Sequence, residues 1–277
     1  MTESKTLVLQ NSQGMAGVYL DPFSTRIRVD EYSGTPEAVL GLVVEAVHPW
    51  VEKIIVKSRP ADREGFIAAG YREEAMVRGY FNGEDMHFMV RYTDSTREEP
   101  VESQDQEDRI REMVMKSVSQ REPEPGIAMP AGFSDAEELS SIFRQVFQIY
   151  PTPVEDPSYL RKTMQEGTMY YAIRQDGRMV SVGSAEVNAK WSNAELTDCA
   201  TLTEAAGKGH MFSIMARIDK ELIRRGIRSR YSIARAMSYP VNVIFHRLGY
   251  SYSGCLRKNV RIGTGLEDMN VWCRFDP

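Results

Sequence analysis

The chain has 277 residues, of which 42% are hydrophobic and 26% charged, and its net charge at pH 7 is −5. That is the composition of a globular protein in water, long enough for one large or two ordinary domains. No apolar run reaches membrane-spanning length, and Met1-Thr-Glu-Ser-Lys5 lacks a cationic-then-apolar leader pattern, so neither membrane nor secretion is expected. Cys199, Cys255 and Cys273 show no Cys-x-x-Cys spacing, which argues for reduced thiols in a cytoplasmic compartment. His48, His87, His210 and His246 form no ligand spacing, so no metal is expected.

In chain order, the first predicted helix covers 36–47, where Thr35 and Pro36 read as cap and first-turn proline. A strand, a helix and a two-stranded hairpin follow at 53–58, 62–70, 73–81 and 85–92. Residues 94–125 then hold ten acids against five bases, an excess equal to that of the whole chain, with Pro100, Pro123 and Pro125 near the edges. This segment reads as a solvated acidic linker carrying a short helix over 106–118. No basic stripe with interleaved aromatics occurs, which disfavours a nucleic-acid partner.

Beyond the linker, 127–129 is strand-like and Ser134-Asp-Ala-Glu137 has the pattern of a capping box, opening a helix with Ile142, Val146 and Ile149 inward. A second helix is expected at 156–166. Strands follow at 168–174 and 179–188, joined through Gln175-Asp176-Gly177, where Asp-Gly favours a tight hairpin. A Thr-rich alternating strand spans 194–202, and the helix 210–225 aligns Met211, Ile214, Met215, Ile218, Leu222 and Ile223 on one face. The last elements lie at 229–234, 239–248, 250–262 and 267–275.

The final four elements repeat the earlier four. Phe66-Ile-Ala-Ala-Gly70-Tyr71 matches Phe245-His-Arg-Leu-Gly249-Tyr250, and Glu84-Asp85-Met86 matches Glu267-Asp268-Met269. The chain therefore reads as two copies of one architecture, divided as 1–93, 94–125 and 126–277. The first copy has no glycine loop before its 36–47 helix and is expected to be a structural half that completes a sheet or dimer surface. A homodimer is the partner state this suggests.

Between the 194–202 strand and the 210–225 helix stand Gly207-Lys208-Gly209. Glycines at a helix entrance leave backbone N–H groups and the positive dipole end open to an anion such as a pyrophosphate. Gly-Lys-Gly is also an ordinary loop. Neither a P-loop nor a G-x-G-x-x-G fingerprint is present. The strand, the loop Ala206-Gly207-Lys208-Gly209-His210-Met211 and the helix resemble the coenzyme-binding motif of the Gcn5-related N-acetyltransferases. Ala206 stands where that pattern has Gln or Arg, and Met211 where it has Gly or Ala.

This resemblance covers about 127–277, with the order β-α-α-β-β-β-α-β-α-β-β, and implies an α+β fold around a splayed mixed sheet. It also implies acetyl-coenzyme A as co-substrate, bound by the backbone of Cys199, Ala200 and Thr201, by residues 206–211 and by Asn242. The run Glu195-Leu-Thr-Asp-Cys199-Ala resembles the catalytic-base strand of the family's histone-acetyltransferase branch, which makes Glu195 the candidate base. Glu186 is an alternative base or, with Asp198, an anchor for a cationic acceptor. Strand alternation sets Asp198 on the face opposite Glu195. Relatives place a tyrosine general acid where this chain has Phe245, so either Tyr250, Tyr252 or water substitutes, or the thiolate leaves unassisted. The run from Ala194 to Leu202, the glycine loop and the long N-terminal half together resemble the beta-lysine N6-acetyltransferases. That likeness implies the side-chain amine of beta-lysine as acceptor, with Arg235 or Arg257 meeting its carboxylate. A protein-lysine or polyamine acetyltransferase and a non-catalytic acyl-coenzyme A sensor remain the alternatives.

Overall fold

The structure is a computed structural model and describes residues 4–99, 101, 103–118, 127–147, 150–263 and 265–277. Ile149 and the linker positions 100, 102 and 119–125 lie outside the described residues. The first half opens with three strands ahead of the first expected element, β1 (Lys5–Asn11), β2 (Gly14–Asp21) and β3 (Arg26–Ser33). Helix α1 (Pro36–Ala46) starts as expected, with the Thr35 hydroxyl accepting the Ala38 N–H at 3.4 Å and Pro36 in its first turn. Then come β4 (Lys53–Ser58), α2 (Arg63–Ala68), β5 (Arg72–Phe81) and β6 (Glu84–Tyr92).

The linker contains α3 (Gln104–Met115), which packs against a helix of the second half and buries Glu107 and Val114. It is thus partly docked, because one face of an otherwise charged helix carries apolar residues that find a partner. The second half runs β7 (Met129–Ala131), α4 (Ala136–Val146), α5 (Pro157–Gln165), β8 (Met169–Gln175), β9 (Arg178–Asn188) and β10 (Asn193–Thr201). It closes with α6 (His210–Arg224), β11 (Ser229–Arg235), α7 (Tyr239–Arg247), β12 (Ser251–Ile262) and β13 (Gly265–Phe275). This is the order that the resemblance implies. The cap before α4 differs from the expected one: Asp135, not Ser134, closes it by accepting the Gly132 N–H at 2.8 Å. On α6, Ile214, Met215, Ile218 and Leu222 are buried, whereas Ile223 is exposed.

All thirteen described strands form one sheet, ordered β1-β2-β3-β4-β6-β5-β12-β13-β11-β10-β9-β8-β7. The order β1-β2-β3-β4-β6-β5 of the first half is repeated as β8-β9-β10-β11-β13-β12 in the second. In each, one parallel pair (β3·β4, β10·β11) is bridged by a crossover helix, α1 or α6, and the other pairs are antiparallel. The sequence repeat has a local cause as well. In both copies Gly70 (φ 83°) and Gly249 (φ 82°) end a helix, and Tyr71 and Tyr250 return N–H bonds of 3.0 Å to Phe66 and Phe245. Phe-x-x-x-Gly-Tyr is therefore a left-handed helix stop.

The halves meet edge to edge, Gly254 of β12 pairing with Ala75 of β5. A shared apolar core containing Val77, Phe88, Tyr231, Leu256 and Val271 lies beneath the seam. Three cations of the first half and its linker, Arg26, Lys53 and Arg97, donate to the carbonyls of Asn259, Arg257 and Lys258 where β12 bulges. The first half is thus partnered within its own chain, its β5 edge closed by β12 of the second half.

Candidate active site

The glycine loop sits where a parallel pair comes apart. β10 and β11 are joined at Asn193–Ser229, Ala194–Arg230 and Glu195–Tyr231, after which the paired register ends. Beyond Glu195 the β11-facing edge of β10 is therefore open, although β9 still pairs with Ala200 and Thr201 on the other side. Gly207 (φ 75°) and Gly209 (φ 80°) are left-handed, and Gly209 is the N-cap of α6. Glycine adopts that conformation without strain, and nothing lies within 4 Å of where a Cβ would stand, so the loop opens to a ligand. The N–H groups of the first α6 turn have no acceptor within the helix and point into this opening. Ala206 and Lys208 are exposed, while His210 and Met211 are half-buried, Met211 packing against the core and the His210 Nε2 lying 3.1 Å from Gln175. Gly183 of β9 lets α6 lie against the sheet: a Cβ there would come within 2.3 Å of the Met215 methyl carbon. The donor set fits an acyl-coenzyme A pyrophosphate through backbone groups, with Lys208 as the added charge.

Beside the splay is a cavity of about 1180 Å³ lined by both halves of the chain. Glu186, Glu195, Asp198 and Cys199 line it together. Glu186 and Glu195 are direct cross-strand partners on β9 and β10. Burial followed by the neighbouring Glu195 and Asp198 carboxylates pushes Glu186 up to about 7. Burial also raises Glu195, against the opposing pull of Lys57, Arg28 and a hydrogen bond with Tyr231. Two carboxylates this close titrate as a pair, holding a proton near neutrality.

Asp198 departs from the expectation of an opposite face. A bulge between Thr197 and Ala200 puts an extra residue in β10, and Asp198 takes φ 50°. The alternation breaks there, and the Asp198 side chain turns to accept the Ser184 hydroxyl at 2.7 Å and the Tyr150 hydroxyl at 3.0 Å. Burial raises the Asp198 carboxyl and pushes the adjacent Cys199 thiol up to about 12, so that thiol is no nucleophile at neutral pH.

The first half is more than a structural partner. Tyr19, Arg28, Lys57 and Tyr80 line the same cavity as the acids. Arg28 grips Asp30 through Nε (2.6 Å) and Nη2 (3.0 Å), and Lys57 reaches the same carboxylate at 2.8 Å. None of these was singled out from sequence, although Arg26-Ile-Arg-Val-Asp30 alternates as a strand should. Tyr150 and Tyr159 complete the wall from the second half.

Other expected residues are engaged elsewhere. Asn242 is buried, and its amide is used up inside the fold. Its Nδ2 donates to the Arg235 and Ser238 carbonyls (2.9 and 2.8 Å), and its Oδ1 accepts from Asn270 (2.9 Å) and Trp272 (2.7 Å). The side-chain amide thus ties α7 to β11 and β13. Thr201 pairs its hydroxyl with Ser181 at 2.7 Å. Phe245 is a core residue. Tyr250, buried, donates to Asp219 at 2.6 Å, and Tyr252 stacks edge-on to Trp272 beneath Arg111, so neither lines the cavity as a general acid. Arg235 lines the cavity but is held bidentate by Glu267, and Arg257 turns to Gln104 and Asp268.

No family model matches the chain. It is 34% identical over 272 residues to the beta-lysine N(6)-acetyltransferase of Methanosarcina mazei, covering 90% of this chain and 98% of that one. To the N-acetyltransferase YodP of Bacillus subtilis it is 35% identical over 258 residues, covering 92% and 94%. Among solved structures, a ribosomal-protein-alanine N-acetyltransferase from Brucella melitensis overlays 55% of this chain and 100% of its own, with a TM-score of 0.48 at 14% identity.

Proposed function

Since this chain belongs to the beta-lysine N(6)-acetyltransferase family, we propose that it transfers an acetyl group from acetyl-coenzyme A to the side-chain amine of beta-lysine. The observation that carries this reading is the single cavity in which Glu186, Glu195 and Asp198 meet the cations of the first half beside the open edge of β10. A diamine arrives as two ammonium groups, and Asp198 with the Glu186–Glu195 pair supplies the acceptors and negative charge to meet them. The coenzyme supplies the acetyl thioester. The backbone at Gly207–His210 receives its pyrophosphate, and the open edge of β10 at its bulge supplies a backbone N–H to the carbonyl on which negative charge develops. Glu195, paired with Glu186 near neutrality, takes the proton that the attacking amine must lose.

Walls from both halves favour a free amino acid over a lysine on a protein surface. Acetylation removes one positive charge from beta-lysine and leaves a neutral zwitterion, N6-acetyl-beta-lysine. Such a molecule accumulates without disturbing charge balance, which supports an osmolyte role in the cytoplasm. The test is thiol release from acetyl-coenzyme A with beta-lysine, alpha-lysine, spermidine and a lysine-containing peptide. Preference for beta-lysine is expected; equal or better turnover of the peptide or spermidine would overturn the assignment, and coenzyme binding without turnover of any would favour a sensor.

A further inference from the structure

The first half repeats the second strand for strand, so its residues have counterparts by register. Parallel pairing begins at Arg26–Lys53 in one half and at Asn193–Ser229 in the other. Two steps on, the pair is Arg28–Ile55 in the first half and Glu195–Tyr231 in the second. On the antiparallel side Arg28 faces Tyr19, and Glu195 faces Glu186. Each strand then bulges past that position, β3 at Asp30 and β10 at Asp198–Cys199. The first half thus keeps the strand, the bulge and the bulge aspartate, but puts an arginine where the second half has its candidate base.

Those two equivalent positions line one cavity, close enough for the Arg28 charge to act on the Glu195 carboxyl. Arg28 commits Nε and Nη2 to Asp30, and its guanidinium stacks over Tyr19 at 5.1 Å. Its Nη1 makes no hydrogen bond among the described residues, and the side chain is 31% exposed, toward the cavity. Asp30 and Tyr19 hold the fork rigid, so little freedom is lost when a further acceptor binds it.

Resting on the beta-lysine reading, we infer that Arg28 binds the carboxylate of the acceptor. The amino acid spans the two halves, its ammonium groups on the Glu186–Glu195–Asp198 wall and its carboxylate on Nη1 of Arg28, beside Lys57. The half without a glycine loop is then the half that selects the substrate. It separates a diamino acid from a plain diamine, which brings no acceptor to Nη1 of Arg28.

The experiment compares beta-lysine with 1,4-diaminopentane, the same skeleton without the carboxylate, in the full-length enzyme and in Arg28→Gln and Arg28→Lys, with Tm recorded for each. Wild type is expected to prefer beta-lysine. Arg28→Gln is expected to lower the ratio of kcat/KM for beta-lysine to that for the diamine by about 30-fold or more, through KM for beta-lysine. Arg28→Lys restores part of that ratio, because it keeps the charge but loses the fork. An unchanged ratio in Arg28→Gln, or in Arg28→Lys should the glutamine variant fail to fold, overturns the inference while the function stands. A wild type that ignores beta-lysine overturns both.

Discussion

Replacing Gly254 by alanine tests whether the two halves act as one structure. Gly254 pairs with Ala75 at the seam, with φ at +130°. A Cβ built there would lie 2.3 Å from the Glu74 carbonyl oxygen, 2.6 Å from the Ala75 Cα and 2.7 Å from its Cβ. All three belong to the opposing strand, so no flexible side chain can swing aside. Restoring ordinary contact needs the strands to part by about 1 Å. The disallowed φ costs roughly 1–3 kcal/mol and the overlap roughly 1–3 kcal/mol, together about 4 kcal/mol. At roughly 2–4 °C per kcal/mol for a chain of this size, Tm should fall by about 10 °C. Gly226→Ala is the control: its φ is +77° but nothing lies within 4 Å of the new carbon, so about 1 kcal/mol is expected. Both variants are measured by calorimetry and urea unfolding. Gly254→Ala should also raise KM for the acceptor, whose cavity spans the seam, and leave coenzyme affinity alone, because the glycine loop belongs to one half. Equal losses in the two variants would refute the claim of a close-packed seam.

Glu195→Gln should retain coenzyme binding by calorimetric titration and lose about 10²-fold or more in kcat; unchanged turnover removes Glu195 as base. Glu186 is raised to about 7, so its basic form is lost as pH falls through 7, and kcat/KM should decline on that side. In Glu186→Gln the remaining Glu195 loses its like-charged neighbour, so the acid limb should move to lower pH; a limb that stays put contradicts the coupling. Asn242→Ala strands the buried Trp272 and Asn270 donors and should cost about 3 kcal/mol in urea unfolding, while coenzyme Kd, measured alongside, stays within about 2-fold if the residue is structural. Glu107, buried beside Asp268, is raised to about 7. A carboxyl raised in the folded state destabilises above that pKa and not below its unfolded value, so Glu107→Gln should raise Tm at pH 8 and leave it unchanged at pH 4.

The tandem arrangement explains why a domain without a nucleotide-like loop persists. A duplicated sheet offers a second wall at no cost in new architecture, and on the proposed reading an arginine at the position equivalent to the candidate base makes that wall an anion receptor. The seam that makes the wall is fixed by buried cations. Lys53 alone bridges Glu74 at 2.8 Å and the Arg257 carbonyl, which sets the two halves at one spacing.

Local features of the sequence are the ones that survive translation into structure. The helix stops at Gly70 and Gly249, the Asp176-Gly177 turn with both residues left-handed (φ 50° and 80°), and the glycine entrance to α6 each depend on residues within one turn of each other. They could be read without knowing the fold, and they carried both the repeat and the loop. What lies across the chain could not. The bulge that turns Asp198 beside Glu195 is a mismatch between two strands, invisible to a count of alternate residues along one of them. The partners of the Asn242 amide, Asn270 and Trp272, lie on β13 and carry no signal near Asn242 in the chain. Arg28 carries no motif at all; it matters because the sheet brings the first half's third strand opposite the second half's. Periodicity records which face a residue takes on its own element. Only packing between distant elements decides what that face meets, and here that decided which half holds the acids and which half answers them.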